Sequence, residues 1–554
     1  MIRIQRQSLL YNVPLIFALV ITFVSVLMIE RSVMLATGGV FMYPLDDPFI
    51  HMEIAGNLAA NGTWGVNPGE FASASSSLLY TVMLALLFKL FSVHVVIPFV
   101  LNCIAAFILL IVVDKWFRKQ GTGMLARLVI LGLVVFFLPL PVMIISGMEH
   151  TLQCLFSFLF ITAFADWVAD GNGTAEKKRK LPVSLLVYAF LVTAIRYEGI
   201  FLVAVAGLIL LWHRKIVPPF ILGAAAFLPV AVFGVYSLGK GSYFFPNPLF
   251  IKSEEFQLSV KGILSFFSNI LINKFTVTKT TGSLPGVPPP GISLLTTQRI
   301  LILLPLVYLF FSRQIRQAGK YNQILLIVTL TTLLHLAFAA TGWFYRYEAY
   351  LVMNACVISF LILGRYWKEL LPDKLLYTRL LAGILIFALF FPFVLRSSAA
   401  FTKAKQACVN IYEQQYQVAQ FLHKYYPETA VAANDIGAIS FFTKTKVIDL
   451  WGLGSIEVAR SRKNKSWTPE FLDSLVRNKQ VGLAVVYDEW FDKRLLQRWT
   501  KVAAWQISDN VITGGDTVSF YSIDSTSGQE LRRNIAAFEP LLPKKVKVVF
   551  TMPL

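Results

Sequence analysis

Charge is scarce in this sequence. Asp, Glu, Lys and Arg make up 15% of its 554 residues, whereas hydrophobic residues make up 56%. A soluble domain carries about 25% charged and about 45–50% apolar residues, so a wholly soluble chain is excluded. Cysteine is scarcer still. Of four, Cys103, Cys154 and Cys356 lie inside apolar runs, with neither a disulfide framework nor metal-ligand spacing; they read as buried thiols. No phosphate-binding glycine loop, zinc motif or nucleophile elbow stands out, so chemistry that depends on those devices finds no support.

What the chain has in excess is apolar residues, with a mean hydropathy of +0.64. They gather into runs such as 12–29, 95–113 and 125–145, and about 20 such residues cross a bilayer as a helix. The runs do not alternate as barrel strands would, so helices are the spanning elements. The first run is followed directly by Glu30 and Arg31 without a small-residue cleavage pattern, which predicts an anchor that stays in place.

The formal net charge of +19 is a topology signal. Lys and Arg cluster in short connections at 3–6, 115–119, 177–180, 214–215, 313–320 and 365–379, as cytoplasmic loops do; nucleic acid is not an expected partner. With the amino terminus inside, loops 36–77, 148–150, 196–199, 243–298 and 343–348 and everything after Arg396 lie outside. Segment 78–91 is apolar but short and carries Lys89, and counting it as a crossing inverts every later loop. It is therefore expected to be re-entrant or interfacial, leaving about eleven crossings. From 401 the apolar runs shorten and charge becomes frequent. Strands are expected at 428–434, 446–450 and 482–487 and a short helix at 436–442. The chain thus divides into a membrane domain, 1–400, and a soluble extracytoplasmic α/β domain, 401–554.

Ionisable residues beside hydrocarbon are expensive and usually functional. Those at the outer helix ends are Asp46, Asp47, His51, Glu53, Glu149, His150, Arg196, Glu198, Asn247 (a polar companion), Lys252, Arg346 and Glu348. Carboxylates can act as a general base or bind a divalent cation, and arginines and a lysine can neutralise a phosphate. Together they suit sugar transfer from a lipid phosphate: a carboxylate deprotonates the acceptor hydroxyl, and cations meet the charge on the leaving phosphate. Most of these residues also have a plainer alternative. The aspartates can turn the chain and cap the next helix, the Arg/Glu pairs can be structural, Glu149 can open a helix, and Lys252 can snorkel. The proline-rich piece 285–290 is either a lid or a stiff spacer.

The stretch Asp46-Asp-Pro-Phe-Ile-His-Met-Glu-Ile-Ala-Gly-Asn-Leu-Ala-Ala-Asn-Gly-Thr-Trp-Gly-Val-Asn-Pro-Gly-Glu70 resembles the first outer loop of bacterial GT-C glycosyltransferases. It is most similar to the family that includes the mycobacterial terminal arabinofuranosyltransferases. Ser146-Gly-Met-Glu149, Arg196-Tyr-Glu-Gly199, Pro246-Asn247 with Lys252, and Arg346-Tyr347 match in order. Ala433-Asn-Asp-Ile-Gly-Ala-Ile-Ser-Phe-Phe442 and Val447-Ile-Asp-Leu-Trp-Gly-Leu453 are similar to the extracytoplasmic domains of such proteins. Departures are Pro48 after the acidic pair, Tyr197 where relatives carry Pro, and small residues at 72–76.

The resemblance implies an inverting transfer of a sugar from a polyprenyl-phosphate donor to a cell-envelope glycan or glycolipid, at a bacterial inner membrane. Asp46, Asp47 and Glu149 are the implied catalytic acids, with Asp47 or Asp46 as base. Beside that resemblance, His51, His150, Arg196, Glu198, Asn247, Lys252, Arg346 and Glu348 are expected as substrate contacts from their place at the outer helix ends, with Arg196, Lys252 and Arg346 on the donor phosphate or sugar. No cofactor is assigned, and a divalent metal, Mg or Mn, is left open, with Asp46, Asp47 and Glu149 as the candidates to hold it. The rival readings are a flippase for lipid-linked sugars and a non-catalytic envelope assembly protein.

Overall fold

The computed structural model describes residues 2–170, 180–252, 320–370, 376–443, 445–524 and 527–553. Among the described residues, six helical spans are long and apolar enough to cross a membrane: Asn12–Ala36, Ile97–Lys119, Met124–Ile145, His150–Ala169, Val217–Gly239 and Tyr321–Phe338. Leu78–Phe91, Val183–Ile195, Gly199–Trp212 and Ala349–Leu361 are shorter apolar helices. Large apolar side chains stand exposed along the flanks of the bundle, among them Phe17, Phe23, Met28, Phe220, Val232 and Val235. In water such a surface would aggregate; against lipid tails it is at rest. The chain is an integral membrane protein.

Among the described residues, the basic connections 115–119 and 214–215 and the acidic loops lie at opposite ends of this bundle. At one end Lys119 meets Asp166 at 3.4 Å, the Lys215 ammonium lies 4.8 Å from the Trp167 ring, and Tyr321 bonds Gln120. Gln323 bonds His213 beside them. The other end holds the acidic loops. Segment Leu78–Phe91 starts and finishes at that acidic end. Ser77, its cap, donates to Ile195 O at 2.6 Å, and beyond its far end Val95 O accepts from Tyr43 Oη at 2.6 Å.

Two boundaries differ from those read in the sequence. The run 125–145 is two helices, Met124–Phe136 and Leu140–Ile145, parted just before Pro139 and Pro141. The composition change at 401 falls inside one helix, Leu376–Ile411, which continues through a π-turn, Tyr412–Tyr416, into Gln417–Tyr425. Its residues Ala400, Ala404, Ala407 and Cys408 pack in one cluster with Tyr43, Phe49 and Met52 of the first acidic loop.

The tail is a six-stranded sheet: β1 Val431–Ala433, β2 Val447–Asp449, β3 Leu483–Val486, β4 Thr500–Gln506, β5 Thr517–Ser522 and β6 Lys547–Phe550. Their order is β2-β1-β3-β5-β4-β6. β1 runs parallel to β2 and β3, with Val431 opposite Val447 and Leu483, while β5, β4 and β6 are antiparallel. One face packs Phe421, Trp505, Phe520 and Phe538; the other packs Leu472, Val476 and Leu495. The expected strands are β1, β2 and β3, and the expected helix is Gly437–Phe442; the antiparallel half is an addition.

Candidate active site

Helix Asp47–Asn61 opens the site. Pro48 in its first turn has no N–H to lose there, and Gly62, at φ 71, ends it by bonding Asn57 O and Leu58 O. Asp47 and His51 stand one turn apart, on the same side of this helix. The His51 Nδ1 lies 3.1 Å from Ser75 Oγ and 3.2 Å from Thr81 Oγ1, and its Nε2 lies 3.8 Å from Glu149 Oε2. Burial lowers the His51 pKa below its ordinary 6.5, outweighing the opposite pull of Glu149 and Asp47.

Arg196 follows helix Val183–Ile195 in extended backbone. Its fork closes on Glu198, Nε to Oε2 at 3.1 Å and Nη2 to Oε1 at 2.6 Å. Nη1 reaches Glu149 Oε1 at 2.8 Å and Ser76 Oγ at 3.1 Å. Burial pushes Glu198 upward, yet the adjoining guanidinium overrides it and holds that carboxyl below the usual range. Gly199 is required here, since a Cβ would sit 2.0 Å from Val192 O.

Arg346 stands at the end of a tight loop in which Gly342, Trp343, Phe344 and Tyr345 all take positive φ. Such backbone is costly for side chains larger than glycine, and Glu348 braces it. Glu348 accepts from Gly342 N at 2.7 Å and from Arg396 Nη2 at 3.2 Å, and Arg396 also holds Tyr345 O and Phe137 O. Arg346, 1% exposed, donates Nη2 to Asp47. Its Nε and Nη1 are buried with no hydrogen-bond partner among the described residues. The Tyr347 ring lies between the two arginines, 5.0 Å from Arg346 and 5.6 Å from Arg196.

These groups line a cavity of about 330 Å³. Asp47, His51, Ser76, Arg196, Glu198, Arg346 and Tyr347 form its polar part, while Ile200, Phe201, Phe227, Val230, Phe245 and Phe338 form an apolar wall. Phe227 and Phe338 are also 43% and 52% exposed on the flank of the bundle. Leu453, from the tail, closes one side; the carboxylate of Asp449 holds its loop by accepting from the N–H groups of Trp451, Gly452 and Gly454.

Of the residues singled out in the sequence, Asp47, His51, Arg196, Glu198 and Arg346 line the cavity, with Glu149 and Glu348 bracing them from behind. Asp46 faces away, accepting from Gly437 N at 2.6 Å and Ala438 N at 2.7 Å in the tail. Burial and the nearby Asp435 push its pKa above the ordinary carboxylate range. His150 is buried with its ring 6.0 Å from Tyr347. Asn247 ties the tail instead of facing the cavity, donating Nδ2 to Leu453 O at 3.1 Å. Glu53 accepts from Asn57 at 3.0 Å. Lys252 ends helix Asn247–Lys252, its side chain outside the described residues, as is all of 285–290. Tyr347, Ser76, Tyr197 and Leu453 line the cavity without having been named as site residues. The signal for Tyr347 was its place between Arg346 and Glu348.

No group of three or more His, Cys, Asp or Glu among the described residues is arranged to hold a metal. Asp46, Asp47 and Glu149 each turn to a separate partner: the 437–438 amides, Arg346 and Arg196. The arrangement as it stands does not fit a metal centre built on these three.

A family model described as "Domain of unknown function (DUF8728)" matches residues 409–521, most of the tail. No curated protein matches the chain. Among solved structures, the chain is similar to ArnT from Cupriavidus metallidurans bound to undecaprenyl phosphate. The TM-score is 0.50 at 11% identity, covering 93% of this chain and 99% of that one. The oligosaccharyltransferase of Archaeoglobus fulgidus in its apo form aligns at a TM-score of 0.46 and 13% identity, over 91% of this chain and 74% of that one; at that score it adds no argument. The ArnT likeness shows the fold alone, shared over 93% of this chain: the helical membrane bundle followed by a small C-terminal α/β domain that the sequence led one to expect.

Proposed function

We propose that this protein is a membrane glycosyltransferase that moves one sugar from a polyprenyl-phosphate carrier to a hydroxyl of a cell-envelope glycan or lipid, on the extracytoplasmic side of a bacterial inner membrane. One observation carries the reading. A cavity whose polar end gathers groups from four separated loops has an apolar wall whose Phe227 and Phe338 reach the lipid-facing flank. A ligand with a charged head and a long apolar tail fits such a site from the side, without leaving the bilayer. ArnT, which shares the fold, was solved with undecaprenyl phosphate.

In this reading Asp47 is the base. It removes the proton from the acceptor hydroxyl as that oxygen attacks the anomeric carbon opposite the phosphate. The bond from carbon to phosphate oxygen breaks, the configuration inverts, and the polyprenyl phosphate leaves with both bonding electrons. Arg346 meets that charge, because of the cavity-lining arginines it is the one whose buried donors, Nε and Nη1, have no partner among the described residues. Arg196 serves differently: two carboxylates already occupy its fork, so it shapes the pocket floor and positions Glu198 toward the sugar. A divalent cation, Mg or Mn, would require Asp46, Asp47 and Glu149 to leave their present partners, so the steps run on the chain's own residues. The narrower kinship with arabinofuranosyltransferases remains part of this proposal.

The test is release of free polyprenyl phosphate by purified protein in lipid, from a panel of polyprenyl-phosphate sugars with membrane glycolipid extract as acceptor. Release from at least one donor is expected. A folded protein that binds the donors and releases nothing from any of them overturns the reading.

A further inference from the structure

Asp46 and Asp47 are adjacent in the chain, yet they serve different parts of the molecule. Helix Gly437–Phe442 starts at Ile436, whose side chain offers no cap, so its first N–H groups need acceptors from elsewhere. Asp46, 391 positions away, supplies both: Oδ2 accepts from Gly437 N at 2.6 Å and Oδ1 from Ala438 N at 2.7 Å. The approach is close enough to forbid a side chain, because a Cβ on Gly437 would lie 2.1 Å from Asp46 O and 2.6 Å from its Oδ2. The two helices also share apolar contact, Phe49 meeting Phe441 and Phe442 at 5.8 and 5.2 Å. A second clamp holds the same loop. Asn67 donates Nδ2 to Val447 O at 2.9 Å and accepts from Val447 N at 3.0 Å on the outermost strand, β2.

We infer that Asp46 is a positioning residue: by capping helix Gly437–Phe442 it clamps the tail domain onto the first acidic loop and thereby fixes the first turn of helix Asp47–Asn61, from which Asp47 faces the cavity. The inference rests on the glycosyltransferase reading for the role of Asp47, but the clamp itself does not. The tail is then a working wall of the site, since the same docking brings Leu453 to the cavity.

The experiment compares Asp46→Ala, Asp46→Asn, Gly437→Ala and Asp47→Asn in the full chain, in lipid, with two readouts. Amide hydrogen exchange at 437–442 reports the clamp without needing transfer. It should quicken about tenfold in Asp46→Ala, the scale of losing one helix cap, and in Gly437→Ala, while Asp47→Asn leaves it unchanged. Asparagine is a competent cap but no base, so Asp46→Asn should keep one of the two bonds and show an intermediate change.

Transfer kinetics report the consequence. Asp46→Ala and Gly437→Ala should lower kcat about tenfold or more with donor KM within about twofold, and the pH profile of what remains should keep its acid limb. Asp46→Asn should retain measurable transfer where Asp47→Asn retains none. Unchanged exchange in Asp46→Ala overturns the clamp. Asp46→Asn as inactive as Asp47→Asn, with Gly437→Ala at the wild-type rate, overturns positioning and makes Asp46 catalytic. Quickened exchange in a protein whose wild type transfers no sugar leaves the clamp standing and removes the glycosyltransferase reading instead.

Discussion

His51 should make the protein lose stability as the pH falls, and the size of the loss follows from its surroundings. The ring is buried between Ser75, Thr81 and Glu149, and the charges facing it are Glu149, Asp47, Arg196 and Arg346. Desolvation prevails over the carboxylates and holds its pKa below 6.5. Below pH 6.5 the unfolded chain therefore takes up a proton at this position that the folded chain refuses. Stability falls as pH drops, by at most about 1.4 kcal/mol per pH unit. Between pH 6.5 and pH 5 the loss reaches up to about 2 kcal/mol for this one group. Asp449 acts in the opposite sense, since burial pushes its carboxyl up to about 6. It favours the folded state as pH falls from about 6 towards its ordinary 3.8. The comparison must therefore be between His51→Gln, whose amide can still bond Ser75 or Thr81, and wild type, so that the other groups cancel. Thermal melting of the purified protein in detergent between pH 8 and pH 5 should show wild type losing more than the variant, the gap opening below about pH 6.5. Curves that fall in parallel, or a variant that loses more, would show that His51 does not resist protonation in the folded protein.

Other perturbations follow from the same contacts. Arg346→Gln removes the guanidinium with the unused buried donors; donor KM in the transfer assay should rise about tenfold to a hundredfold, at about 1.5–3 kcal/mol for a charged hydrogen bond. Asn67→Ala leaves the N–H and C=O of Val447 without their partner. Docking should weaken by about 2–4 kcal/mol, seen as faster hydrogen exchange along β2 and not along β4. Gly147→Ala places a Cβ 2.5 Å from the Tyr43 ring at a φ of 67. A loss of about 1–3 kcal/mol is expected, read as a lower melting temperature.

The parts legible in the sequence were those that repeat or sum over many residues. Apolar runs and basic clusters sorted the loops to two ends, and the observed meeting of residues 119, 166, 215 and 321 follows from that sorting. Convergence of Asp47, His51, Arg196, Glu198 and Arg346 on one cavity could be expected on the same grounds, since each ends an apolar segment on one side. Less legible were features decided by direction or by distant partners. Asp46 and Asp47 are chemically identical neighbours, and successive residues at a helix start point about 100° apart; which one faces the cavity depends on a helix 391 positions away. Strands β4 and β5 have runs buried on both faces, Val502 to Trp505 and Val518 to Ser522. They lack the alternation that marks a half-buried strand. The composition change at 401 marks where the chain leaves the apolar bundle and not where the helix ends.

The proposed base of the sugar transfer from a lipid phosphate is Asp47, held by Arg346 at the cavity. Its most direct test is a single-turnover reaction in lipid with a transferable polyprenyl-phosphate sugar, comparing wild type with Asp47→Asn and determining the anomeric configuration of the product. An inverted product is expected from wild type, with a loss of at least about a hundredfold in rate for Asp47→Asn and donor still bound. A retained configuration, or an Asp47→Asn enzyme that turns over like wild type, would contradict that role.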